Sequence, residues 1–398
     1  MMQLNRLPPL TTAGKAALTG LIAAALAWTW IALTVHYTYQ GHWTAMFTTG
    51  SSFHAPPEAL KGENIYLFPG AGYDGQMYHY IAHDPFNRRG FQRSMDDPRM
   101  RYRRILVPLA AWTLALGQDA WIDAAYFGVV LGLVTLGVYW MAMLASAHGR
   151  PPAFGFLFLF SPAAVISIDR MTVDIAAAAF TLATLYYFDT QRPVRLWLSI
   201  AAACLSRETA AIGPVALMAY SLWRDRSCRQ PIFMASALLP AGLWTLFAAS
   251  GTPASAAEAG TFIPFRYFAG RILDPFDYSL PPLWQLIART GDYLCLAGLA
   301  LSVWYAVTRW RTLGASPAGW ALLAWIGFFA FVGHAPMWNE PYNYGRIFTP
   351  LLLLAAADGF GRMDRLALVP LLLFVPRLLL QLAPQISTVA RGLLQIQG

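Results

Sequence analysis

Residues 69–108 read PGAGYDGQMYHYIAHDPFNRRGFQRSMDDPRMRYRRILVP. This stretch gathers a glycine-flanked acid, aromatics, two histidines and a run of arginines. The chain around it is 57% hydrophobic and only 12% charged over 398 residues, with a mean hydropathy of +0.45. A soluble domain carries about 25% charge, so most of the chain belongs in lipid. A polar segment held between apolar helices is where chemistry on a polar substrate can take place.

The net charge of +8 would point to nucleic acid in a soluble protein. Here the basic residues fall at the ends of apolar runs, which orientation in a bilayer explains without nucleic acid. Two of the 28 basic residues are lysine, Lys15 and Lys61, and the rest are arginine. Cys204, Cys228 and Cys295 show neither a disulfide pattern nor metal-ligand spacing. There is no GxxxxGK[ST], no GxGxxG after a strand and no HExxH. An Asp-x-Asp pair for a metal–nucleotide sugar is also absent.

The run Ala16–Val35 follows Arg6 and Lys15. It exceeds the roughly 7–15 apolar residues of a cleavable signal core, so it is expected to be a retained first span with a cytoplasmic N-terminus. A polar segment follows over 36–104, whose aromatics argue for a packed loop. Residues 105–117 are too short to cross and are expected to lie at the interface. Further spans are expected near 121–146, 153–168, 173–188, 196–206, 210–223, 231–249, 290–308, 318–333, 346–357 and 366–382. The fold class is therefore an all-α integral membrane protein, a single bundle of about eleven crossings with a large first extracytoplasmic loop.

This register puts His148/Arg150, Arg192/Arg195, Arg224/Arg226/Arg229, Arg309/Arg311 and Arg362/Arg365 on the cytoplasmic side, as the positive-inside rule requires. Several spans are short, among them 153–168, 196–206 and 346–357. At 1.5 Å per residue they fall short of the ~30 Å hydrocarbon layer, so their outer tips should be sunken. The tips carry Asp169-Arg170…Asp174, Ser206-Arg207-Glu208-Thr209 and Glu340…Arg346. Ionisable groups at such depth cost about 2.5–3.5 kcal/mol each unless they line a polar cavity.

Each candidate has a bland reading beside the chemical one. Asp74 can be a helix N-cap, yet a positioned carboxylate is also what a proton acceptor requires. Arg101, Arg103 and Arg104, with Arg88, Arg89 and Arg93 upstream, can be an interfacial collar; their fork geometry equally suits a phosphate. Asp169, Arg170, Asp174, Arg207 and Glu208 can neutralise one another or line a site. Arg346 can be a snorkelling anchor or a phosphate contact. His79 and His83 share a helical face as a metal pair would, but no third ligand is evident. Trp28, Trp43, Trp121, Trp223, Trp310 and Trp338 are expected in the interfacial belt. Arg377 interrupts the last span without a visible reason.

Tyr73-Asp74-Gly75-Gln76…Tyr78…Ile81-Ala82, followed by Arg101-Tyr102-Arg103-Arg104-Ile105-Leu106…Pro108, resembles the bacterial cell-surface glycopolymer formation proteins. Those are similar in plan to GPI mannosyltransferases and other GT-C glycosyltransferases. The similarity continues through Ser161-Pro162-Ala163…Asp174, Ser206-Arg207-Glu208-Thr209 and Asn343-Tyr344-Gly345-Arg346. The resemblance implies an inverting transfer of a monosaccharide from a polyprenyl-phosphate donor to a cell-envelope glycan or glycolipid acceptor, at the outer face of the bacterial plasma membrane. It implies Asp74 as general base and Tyr73, Gln76, Arg101, Tyr102, Arg103, Arg104, Asp169, Arg170, Asp174, Arg207, Glu208 and Arg346 as donor-binding candidates. It leaves open whether a divalent cation, Mg²⁺ or Mn²⁺, takes part. The same cavity would also suit a flippase for a lipid-linked sugar, or a non-catalytic subunit of a polysaccharide assembly complex. No internal repeat of the kind common in transporters is visible.

Overall fold

The computed structural model describes residues 10–52, 56–60, 64–254, 263–333 and 335–394. It is all-α apart from a two-stranded parallel ladder, β1 (Thr49–Gly50) with β2 (Leu67–Phe68). The helices of the first half are α1 (Thr12–Tyr37), α2 (Asp74–His83), α3 (Pro98–Arg103), α4 (Leu106–Leu114), α5 (Asp119–Ala147), α6 (Pro162–Arg170), α7 (Asp174–Asp189), α8 (Pro193–Ser206) and α9 (Ile212–Asp225). Those of the second half are α10 (Arg229–Ser236), α11 (Leu239–Gly251), α12 (Arg266–Leu273), α13 (Pro282–Thr308), α14 (Trp310–Leu313), α15 (Pro317–Phe331), α16 (Pro341–Arg362), α17 (Val369–Leu372) and α18 (Val375–Leu393).

Five helices, or helix runs, among the described residues are long and apolar enough to cross a membrane: Thr12–Tyr37, Asp119–Ala147, Arg229–Gly251, Pro282–Thr308 and Arg365–Leu393. The expected span at 153–168 is a bent pair, a 3₁₀ segment Pro152–Phe160 joined to α6 at 63°, and makes a sixth candidate if the pair is one broken span. The break sits at Ser161-Pro162: Ser161 caps the new helix and Pro162 takes its first position, where its missing N–H costs nothing. Helices α7, α8, α9 and α15 are 16, 14, 14 and 15 residues long. Length and composition alone therefore do not support the count of eleven.

Helix α1 crosses α5 closely because its contact face is small. Ala16, Gly20, Ala23 and Ala27 are buried, and a Cβ on Gly20 would lie 2.5 Å from the Thr135 carbonyl oxygen. Its other face exposes Leu18, Leu21, Ile22 and Leu26, a surface suited to lipid rather than water. The expected short span 346–357 is wrong in length. Pro341 starts α16 earlier, and the helix runs 22 residues, buried nearly throughout. Tertiary burial there overrides the polar Asn-Tyr-Gly-Arg start. Trp338 is also not in an interfacial belt, since it is buried and stacks on Tyr344 with ring centroids 5.4 Å apart. Arg377 gains its reason here: its Nε donates to Asp292 of α13 at 2.8 Å.

The opposite ends of the bundle differ. One end collects Asp74, Asp174 and Arg346 near the starts of α2, α7 and α16. The other holds the basic residues that follow α5, α9, α13 and α16, where His148 packs on Gly361 and Arg309 pairs with Asp364.

Candidate active site

The described residues of 36–104 are held by tertiary contacts. Besides the ladder, the Gln76 side chain accepts from the Gly50 N–H at 3.0 Å and donates to the Ala71 carbonyl at 2.9 Å. The Tyr73 N–H bonds the Thr48 carbonyl at 2.9 Å. Asp74 is thereby fixed as the first residue of α2. Gly75 explains the Asp-Gly pair, because a Cβ there would lie 2.0 Å from the Arg170 carbonyl oxygen and 2.8 Å from that of Phe47. Only glycine lets the start of α2 slot between those backbones.

On α3, Asp97 caps by accepting from the Met100 N–H at 3.0 Å, and Pro98 occupies the first turn. One turn of helix then puts Arg101 and the following Arg104 on one side. Arg101 donates to Asp74 at 2.9 Å and to both oxygens of Asp96 at 2.9 and 2.6 Å. Arg104 forks onto Glu208 at 3.0 and 2.5 Å and donates to the Tyr78 hydroxyl at 3.3 Å. Arg207, just past the end of α8, pairs with Asp174 at the start of α7. Arg346 bridges the two acids, reaching Asp74 at 2.5 Å and Asp174 at 3.5 Å. The Asn343 side chain accepts from the Tyr73 hydroxyl at 3.4 Å, and the Tyr73 ring lies 5.2 Å beneath the Arg346 guanidinium.

These groups face a cavity of about 610 Å³. Arg101, Arg104, Arg207 and Arg346 share it with Asp74, Asp96 and Glu208, while Phe328, Phe331, Val332, Met337 and Ile347 form an apolar wall. Four guanidinium groups thus meet four carboxylates once Asp174 is counted. Even so, Arg207 Nε and Arg346 Nε and Nη1 are buried with no hydrogen-bond acceptor among the described residues. A buried donor without an acceptor costs about 1–3 kcal/mol, more when charged. The arginines that carry them line the cavity, so an anionic ligand there would meet guanidinium groups. The starts of α2, α7 and α16 add the positive ends of three helix dipoles.

Burial alone would push the Asp74 carboxyl up, but the guanidinium groups of Arg101 and Arg346 outweigh it and hold the acid well below the usual carboxylate range. Glu208 is held low in the same way, with Arg104 overriding its desolvation.

Several expected site residues are elsewhere. Gln76 clips the loop, as described. Tyr102 is buried packing: its hydroxyl donates to the Asp84 carbonyl at 3.0 Å, and its own carbonyl accepts from the Trp244 indole at 2.7 Å. Arg103, half-buried, is outside the cavity lining. Asp169 and Arg170 pair with each other at 3.3 Å on the far side of Tyr73, with Gln385 donating to Asp169 at 3.1 Å. Conversely, Asp96 and Tyr78 were not expected here. The i, i+4 spacing of Asp74 and Tyr78 was the available signal for Tyr78; the partner of Arg101 carried none.

Each cavity acid is paired with an arginine. Among the described residues, the grouping whose ligand atoms converge is His79, His83 and Asp123, outside the cavity. No protein family, curated protein or solved structure matches the chain.

Proposed function

We propose that the chain is a membrane glycosyltransferase that moves a monosaccharide from a polyprenyl-phosphate donor to a glycan or glycolipid acceptor. The observation that carries this reading is the mixed cavity: unsatisfied guanidinium donors and a carboxylate on one side, an apolar wall on the other. A lipid phosphate has that polarity. The same proposal includes about eleven crossings, a cytoplasmic N-terminus, a bacterial plasma membrane and a cavity opening outside. The gathering of Arg150, Arg192, Arg224, Arg309 and Arg362 at the bundle's other end supports that orientation.

In this reaction the acceptor hydroxyl gives its proton to Asp74 while its oxygen attacks the anomeric carbon. The bond from that carbon to the phosphate oxygen breaks on the opposite face, configuration inverts, and polyprenyl phosphate leaves. Arg207 and Arg346, with Arg101 and Arg104, neutralise the charge that grows on the leaving phosphate. Both Asp74 oxygens are held by arginines before donor arrives. The donor phosphate competes for those guanidinium groups, and a carboxylate relieved of one of them becomes the stronger base.

Purified protein with a panel of polyprenyl-phosphate sugars and envelope acceptors should release free polyprenyl phosphate, and Asp74→Asn should insert and fold yet release it about 10²–10⁴-fold more slowly. Wild-type release by Asp74→Asn removes that carboxylate from the chemistry. Binding of the donor without release across the panel favours a carrier of lipid-linked sugar instead.

A further inference from the structure

A second constellation lies on the face of α2 that turns from the cavity toward α5. His79 and His83 are one turn apart on α2, and Asp119 and Asp123 are one turn apart at the start of α5. His79 Nε2 lies 2.6 Å from Asp123 Oδ1 and 3.2 Å from His83 Nε2. Two imidazole nitrogens and a carboxylate oxygen therefore point at one spot from two facing helices. Ligands at about 2.0–2.1 Å from a tetrahedral zinc ion are separated by roughly 3.3 Å, so the two nitrogens already stand at the required spacing.

The surroundings are those of a ligand set. His83 Nδ1 is 2.8 Å from Asp119 Oδ1. A proton there fixes the tautomer that leaves Nε2 as a lone-pair donor, the carboxylate–histidine arrangement that orients metal ligands. The His79 ring is held by stacking on Phe47, centroids 4.0 Å apart, so its direction does not depend on Asp123. Both histidines are fully buried, whereas Asp119 and Asp123 reach the surface. The two acids line a cavity of about 340 Å³ beside His42, Thr44 and Asn64, which gives a hydrated cation an approach from the acidic side. Arg89 neutralises Asp119 at 2.8 Å and leaves Asp123 as the carboxylate to be spent on the ion.

We propose that His79, His83 and Asp123 bind one divalent transition-metal ion, Zn²⁺ by the chemistry of an N₂O set, with Asp119 orienting His83 and a fourth position open to water. Imidazole with a single carboxylate selects zinc-like ions over Mg²⁺ or Ca²⁺, which prefer all-oxygen shells. The ion joins α2 to α5, and α2 is the helix whose first residue is Asp74. Occupancy therefore stiffens the element that carries the cavity's central acid, from a point outside the cavity. The site does not depend on the transferase reading.

The test uses the full chain in detergent, stripped with chelator, re-equilibrated with Zn²⁺ alone and desalted. We expect about one equivalent of zinc per chain by elemental analysis, and the intense visible absorption of four-coordinate cobalt when Co²⁺ replaces it. His79→Gln, His83→Gln and Asp123→Asn each lose the bound ion. Asp119→Asn keeps the stoichiometry at saturation and weakens affinity by about 10–100-fold. Cys228→Ser, which removes the exposed thiol, leaves the stoichiometry unchanged. Retention of no zinc by the wild-type chain, or of one equivalent by the histidine variants, overturns the proposal. Should a variant fail to fold, the wild-type stoichiometry and the cobalt spectrum decide: a six-coordinate or absent spectrum means that His79 and His83 serve only as hydrogen-bonded packing.

Discussion

Two of the buried arginine clusters in this bundle differ in what is left over. At the contact of α13 and α18, Arg377 gives its Nε to Asp292 and reaches Gln381, while Tyr278 donates to the same Asp292 at 2.6 Å. Among the described residues, none of its nitrogens is both buried and without a hydrogen-bond partner. In the cavity, Arg207 and Arg346 also pair with acids, yet keep three buried nitrogens without a hydrogen-bond acceptor among the described residues. A cluster that closes on itself holds helices together. One that stays open has the electrostatic form of a binding site. Burial and charge are alike in the two, so the remaining donors are what sets them apart.

The sharpest way to break that distinction is the central acid. Asp74→Asn is expected to lower transfer by about 10²–10⁴-fold, the usual contribution of a general base, measured as polyprenyl phosphate release. Asp292→Asn should leave the chemistry of the surviving folded protein intact. Its cost falls on folding instead. Removing one partner of a buried pair costs about 3–5 kcal/mol, so Asp292→Asn or Arg377→Leu should sharply lower the thermal midpoint in detergent. The double replacement should recover much of that loss. If the double variant stays as unstable as either single one, the closed cluster contributes more than mutual neutralisation. A finer probe keeps charge and removes only the fork. Arg207→Lys or Arg346→Lys is expected to weaken polyprenyl phosphate binding by about 10–100-fold, the worth of a charged hydrogen bond. Arg362→Lys, in the other satisfied cluster around Asp358, should leave that affinity alone. Equal effects at Arg346 and Arg362 would dissolve the contrast.

The amino-acid chain made some of this arrangement visible and concealed the rest, for physical reasons. Asp74, Arg101, Arg104, Asp174, Arg207, Glu208 and Arg346 stood out because ionisable groups in an apolar chain need a polar environment. Where their partners lay was not legible. Arg101 and Arg103 look alike in RYRR, and only the helical turn over 98–103, capped by Asp97, sends one to the cavity and the other away. Asp169 and Arg170 looked like site residues because they precede Asp174, yet Met171 ends α6 in the left-handed conformation (φ 48°) and turns them behind Tyr73. Span lengths failed where packing overruled hydropathy, as at Pro341, where a polar start is drawn into a buried helix. The third ligand beside His79 and His83 comes from α5, some forty residues on, and no local pattern links the two helices.

The smallest expected effect is also the most discriminating, since it concerns the proton itself. In the donor-free protein Asp74 is held below the ordinary carboxylate range, its desolvation outweighed by Arg101 and Arg346. A depressed folded value gives stability that is fully present above the unfolded pKa of about 3.9 and lost as pH falls through the folded one. The stability gap between wild type and Asp74→Asn should therefore be the same at neutral pH as near pH 5, and close only below about pH 4. Kinetics carry the argument further. The pH dependence of kcat/KM reports the free enzyme and that of kcat the bound complex. If the donor phosphate draws an arginine off Asp74, the carboxyl pKa rises only in the complex. The profile of kcat/KM then shows no acid limb from this group, while that of kcat acquires one at higher pH. Superimposable profiles would mean that both arginines stay on Asp74 throughout, and that the open donors of Arg207 and Arg346 meet the phosphate without disturbing the acid.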